Sequence, residues 1–109
     1  MAHFDLDRIR EAARQQQIEY RGGKDSNVRK TIANLGYTLP DIVNSITSLS
    51  SSNFHKTYEY PDKTFDDGYI TTVIREEEEI KDKIFMKLRL LDDGEIEIVE
   101  IGTFHLPKR

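Results

Sequence analysis

The sequence predicts an α+β fold, with N-terminal helices packed on a small antiparallel sheet. Three observations predict it. Up to Leu49 the apolar residues recur at helical spacing. From Phe54 onward they alternate, as strands with one buried face do. Helical and strand-like segments are segregated along the chain, which implies one helical layer on one sheet.

Residues 5–18 read as a first helix. Asp5 or Asp7 fits its start, and Leu6, Ile9 and Ala13 give a modest apolar stripe. Arg21-Gly22-Gly23 breaks the pattern. Residues 26–35 read as a second helix, with Asp25 or Ser26 as N-cap and Gly36 just past the end. Residues 39–49 read as a third. Thr38 fits its cap, Pro40 its first turn, and Ile42, Val43, Ile46 and Leu49 its buried stripe.

Ser50-Ser51-Ser52-Asn53 is a short connector, and Phe54–Tyr60 is extended. Pro61-Asp62-Lys63 marks a turn. Tyr69–Arg75 is β-branched and strand-like, and the acidic run from Glu76 is a loop between strands. Ile84, Met86, Leu88 and Leu90 alternate with Phe85, Lys87 and Arg89, the cleanest strand signal in the chain. Asp92-Asp93-Gly94 is a hairpin turn. Ile96, Ile98 and Ile101 continue on the partner strand, and Thr103–Leu106 forms a last short one.

The 109 residues make a single domain, 1–109, with 37% apolar and 33% charged residues. The chain has no Cys, which excludes disulfides, thiolate zinc sites and a cysteine nucleophile. His3, His55 and His105 are too scattered for a metal cluster, so no metal or cofactor is expected. No signal peptide or membrane-length apolar run is read, so a cytoplasmic location without membrane attachment is expected.

Net charge is −4 and uneven. Residues 1–60 hold eight Lys/Arg against seven Asp/Glu, and residues 61–109 hold eight against thirteen. Such a field repels nucleic acid, so an RNA-binding reading needs a local basic patch.

One patch is legible. Lys87 and Arg89 are two apart on one strand and project on one side. Lys56 and His55 come from the strand that opens the sheet, Tyr69 starts another, and His105 lies on a nearby one. Converged, these groups suit phosphoryl chemistry on RNA without metal. A base must take the 2′-hydroxyl proton, and an acid must protonate the departing 5′-oxygen. Cations must stabilise charge on the pentavalent phosphorus. Histidine can serve as acid or base near neutral pH, and lysine can where its surroundings depress its basicity.

The chain also resembles a known family. The segment Leu49-x-x-x-x-Phe54-His55-Lys56-Thr57 matches the spacing of a Leu-x-x-x-x-Phe-Tyr-Lys-Ser segment in the MqsR family of bacterial type II toxins. His3-Phe4-x-Leu6, Ala33-x-Leu35-Gly36 and Ile42-Val43-x-x-Ile46-x-x-Leu49 are similar as well. Phe65-Asp66-Asp67-Gly68-Tyr69 and Phe85-Met86-Lys87 occupy the places of later family landmarks. The resemblance implies a RelE-like fold, metal-independent cleavage of mRNA and inhibition of translation and growth. It implies a cognate antitoxin with a DNA-binding domain, DNA contact only through that antitoxin, and the ribosome as a further partner.

Lys56 matches a family lysine implicated in cleavage. Asp66 stands where the family has a glutamine, and an aspartate there is expected to repel phosphate. Phe85 stands where it has a tyrosine, and Thr103-Phe104-His105 is the nearest match to a terminal Ser-Phe-Lys. The expected catalytic set is therefore Lys56, His105, His55 and Tyr69, with Lys87, Arg89 and Arg75 binding RNA. The alternative is a catalytically weak toxin fold that acts as an antitoxin-binding or regulatory module.

Overall fold

The computed structural model describes residues 1–75 and 80–106, so the acidic run 76–79 lies outside the described residues. In chain order the elements are α1 (Leu6–Arg14), β1 (Ile18–Tyr20), α2 (Asn27–Asn34), α3 (Leu39–Thr47), β2 (Phe54–Glu59), β3 (Phe65–Arg75), β4 (Ile80–Asp92) and β5 (Glu97–His105). Single-turn 3-10 helices occupy Gly23–Asp25 and Ser51–Asn53. The α+β fold is as expected: helices cover one face of a five-stranded sheet of order β1-β5-β4-β3-β2.

Local chemistry sets the helix ends. The Asp5 carboxylate accepts from the Asp7 N–H to cap α1, and Ser26 accepts from the Arg29 N–H to cap α2. Thr38 and Asp41 form a reciprocal capping box, with Asp41 accepting from the Thr38 N–H at 2.8 Å.

Two differences from the sequence reading have physical causes. First, α1 stops at Arg14 rather than 18, because Gln16 turns left-handed at φ 60°. Second, the next residues become β1, which pairs in parallel with Val99–Ile101 of β5. The sheet is therefore mixed, not purely antiparallel. A strand this short leaves too little alternation to be read from sequence.

The core lies between the layers. Ile9, Ala13, Ile42, Ile46 and Leu49 meet Tyr69, Ile84, Met86, Leu88, Val99, Ile101 and Phe104, all essentially inaccessible. Burying each large apolar side chain contributes about 1.5–3 kcal/mol. Even positions of β4 thus face the helices, and strand alternation turns Phe85, Lys87 and Arg89 to the open face. The N-terminal segment docks on the helix side. Buried Asp67 accepts from the His3 N–H at 3.0 Å, the Phe4 N–H at 2.7 Å and the Thr57 hydroxyl at 2.6 Å.

Candidate functional site

The open sheet face collects most of the residues singled out in the sequence. β2 pairs with β3 so that Phe54 lies opposite Tyr69 and Lys56 opposite Gly68. His55 is the extra residue between them, a β-bulge. In a regular strand, neighbours point to opposite faces. Here the bulge lets consecutive residues reach the same one: the His55 ring lies 6.1 Å from that of Phe85, and Lys56 Nζ lies 4.6 Å from the Tyr58 ring.

From β4, Lys87 Nζ lies 4.1 Å from the same Tyr58 ring. Two ammonium groups therefore share one aromatic ring, each in a cation–π contact with it. Among the described residues, no salt bridge ties up Lys56 or Lys87.

Phe85 is the hub of the cluster. Its ring lies 6.3 Å from Tyr58 and 5.5 Å from His105, which stands opposite it on β5. Gly68 makes this possible, since a Cβ there would come within 2.9 Å of a Tyr58 ring carbon. His105 Nδ1 lies 2.7 Å from the Leu106 carbonyl oxygen. A carbonyl can only accept, so Nδ1 carries the proton of that bond and a neutral ring presents Nε2 as an acceptor.

Arg89 shares the face but is committed to structure. Its Nε donates to Asp66 Oδ1 at 3.1 Å and to the Phe65 carbonyl at 2.9 Å, and its Nη2 donates to the Thr64 hydroxyl at 3.2 Å. Arg21 donates to both Asp66 oxygens, at 2.9 and 2.7 Å, and to Glu100 at 2.8 Å. The Tyr60 hydroxyl donates to Asp66 at 2.8 Å. A side chain at position 102 would collide with the Arg21 guanidinium, so Gly102 is what lets it lie on the sheet.

This network overturns the expectation that Asp66 repels phosphate. The carboxylate is fully buried and neutralised by two guanidinium groups. Burial pushes its pKa up, but the bonds from Arg21 and Tyr60 and the charges of Arg21 and Arg89 prevail, and the net shift is downward. The Arg21 pKa is raised, first by its bond to Asp66. A cavity of about 410 Å³ opens over the network, lined by Arg21, Tyr60, Pro61, Asp62, Thr64 and Arg89.

Tyr69 does not join the open face. It sits on the helix side, 1% exposed, because it pairs with core-facing Phe54 and Met86. Burial, reinforced by the charge of Asp67, pushes its pKa up to about 12. Its buried hydroxyl has no hydrogen-bond partner among the described residues. Tyr69→Phe is therefore expected to leave RNA chemistry unchanged and stability equal or higher by about 1 kcal/mol, as measured by urea unfolding. Loss of activity in this variant would return Tyr69 to the site. Arg75 ends β3, and its side chain lies outside those described.

Sequence reasoning missed Tyr58 and Arg21. Tyr58 was legible as Lys56-x-Tyr58, a pair on one strand face. Arg21 carried no signal, since its partners are distant in sequence and β1 was not foreseen.

The fold and face define a small α+β protein with a cationic, imidazole-bearing sheet. The model of the MqsR toxin family, described as motility quorum-sensing regulator, toxin of MqsA, matches residues 1–102, and the chain belongs to that family. It is thus a toxin of a toxin–antitoxin system, and a cognate antitoxin is implied. No curated protein matches the chain. Among the described residues, no helix is long and apolar enough to cross a membrane.

Proposed function

We propose that this toxin is a metal-independent endoribonuclease that cleaves mRNA in the cytoplasm and so inhibits translation and growth. The observation that carries the reading is the convergence of Lys56, Lys87, His55 and His105 around Tyr58 and Phe85 on one open face. The set holds two potential proton-transfer groups, two cations with no salt bridge among the described residues, and two aromatic rings. Proton transfer and charge stabilisation are requirements of RNA transesterification, and aromatic rings bind unstacked bases.

In this mechanism His105 Nε2 takes the proton from a ribose 2′-hydroxyl. The 2′-oxygen attacks the adjacent phosphorus, and Lys56 and Lys87 stabilise the added charge on the non-bridging oxygens. The bond from phosphorus to the 5′-oxygen breaks, and protonated His55 supplies the proton to that oxygen. The products are a 2′,3′-cyclic phosphate and a free 5′-hydroxyl. Phe85 offers its ring to a flanking base. Arg89, neutralised by Asp66, supports the strand and does not bind RNA in this scheme.

The cognate antitoxin supplies the DNA-binding domain in this reading, and DNA is met only through it. The ribosome is a further partner for a nuclease that takes mRNA during translation.

The test is chemical. Purified protein incubated with an oligoribonucleotide in EDTA is expected to yield 2′,3′-cyclic phosphate ends. Cleavage only after a divalent metal is added would overturn the mechanism. Intact RNA at all protein concentrations, with folded protein confirmed, would leave the face as a binding surface of a regulatory module.

A further inference from the structure

We propose that the open face of β4 is a track for single-stranded RNA, running from the Phe85 hub toward Lys81. Lys81 and Lys83 would bind backbone phosphates outside the cleavage centre. The inference rests on the ribonuclease reading above and adds the form of the substrate and its direction across the sheet.

The track is written in the alternation of β4. Lys81, Lys83, Phe85, Lys87 and Arg89 occupy successive outward positions. Lys81 and Lys83 are exposed, and they stand opposite Ile74 and Thr72 of β3, neither of them acidic. Among the described residues neither lysine is in a salt bridge. Outward positions on a strand recur about every 7 Å, so Lys81 and Lys83 extend the cationic surface well beyond what one phosphate needs.

The charges fix the direction. Past Lys87 the next outward cation is Arg89, which is neutralised with Arg21 by Asp66 and Glu100. Past Phe85 the other way come Lys81 and Lys83, which have no salt bridge among the described residues. A polyanion leaving the centre therefore gains on the Lys81 side and not on the Arg89 side. The Phe85 ring at the centre sets the strandedness, because a duplex keeps its bases stacked inside and cannot offer their faces to it. The outward positions of β4 from Lys81 to Arg89 carry no acidic residue.

The experiment uses the full chain and a 2′-O-methyl oligoribonucleotide several residues long, which binds but cannot be cleaved. Binding is measured against salt concentration for wild type, Lys81→Gln/Lys83→Gln and the control Lys24→Gln/Lys30→Gln. The control removes equal charge from the exposed helical side. Each single-strand phosphate contact contributes about 0.7 to the logarithmic salt slope, so the track variant is expected to lose about 1.4 and the control none. A wild-type slope in the track variant, or an equal loss in the control, overturns the track while wild-type cleavage still stands. A wild type that neither binds nor cleaves RNA overturns the nuclease reading and the track together.

Discussion

Replacing Asp66 with alanine is expected to destabilise the fold by about 3 kcal/mol, the low end for leaving buried charges without their partner. Asp66 is inaccessible, while Arg89 keeps 18% and Arg21 35% of its side-chain surface, so solvent softens the loss. Urea unfolding of wild type and variant measures it. A change below about 0.5 kcal/mol, the range of ordinary surface substitutions, would show that the network is ornamental. Asp66→Asn adds a test of the charge itself. The folded-state pKa is depressed below the ordinary 3.8, so its stabilisation is full above that value and is lost as pH falls through the lower one. The wild type should therefore lose its advantage over Asp66→Asn progressively below about pH 4. An advantage that persists, or grows, as pH falls would contradict the shift. Both variants unmask guanidinium groups beside the cleavage centre, so their RNA affinity should rise even as stability drops.

Lys56→Ala is expected to reduce RNA cleavage by about 10²- to 10⁴-fold, the usual scale for losing a positioned catalytic group. Lys56 is exposed and makes no salt bridge among the described residues, so unfolding midpoints should barely move. Single-turnover cleavage at saturating RNA is the appropriate readout. Lys56→Arg separates two roles, because arginine keeps the charge and cannot give up a proton. Partial recovery in that variant points to charge stabilisation, and none points to proton transfer. Lys87→Ala should lower turnover as well, since Lys87 shares with Lys56 the stabilisation of charge on the non-bridging oxygens. Cleavage unaffected by Lys56→Ala would remove the centre of the proposed mechanism.

Much of the fold was legible because the signals are local. Thr38-x-x-Asp41, Ser26 and Gly36 announce helix ends, and the alternation through Ile84–Leu90 announces both the strand and its two faces. β1 was not legible, since three residues gain their strand identity from pairing with β5 alone. The open-face lysines followed from the same alternation. Tyr69 was misplaced because the bulge at His55 and the partner Phe54 decide which way that part of the sheet faces. Asp66 was misjudged for a different reason. A carboxylate's effect depends on what neutralises it, and Arg21 lies 45 positions away in sequence.

The His55 bulge carries a consequence for how this strand can change by insertion and deletion. Because Phe54 already stands opposite Tyr69 and Lys56 opposite Gly68, a chain lacking His55 closes into an ordinary ladder with every flanking pair intact. The imidazole is thus a single-codon addition to a strand that is complete without it. A lineage can gain or shed one proton-transfer group here while Lys56, Tyr58 and the core stay in place.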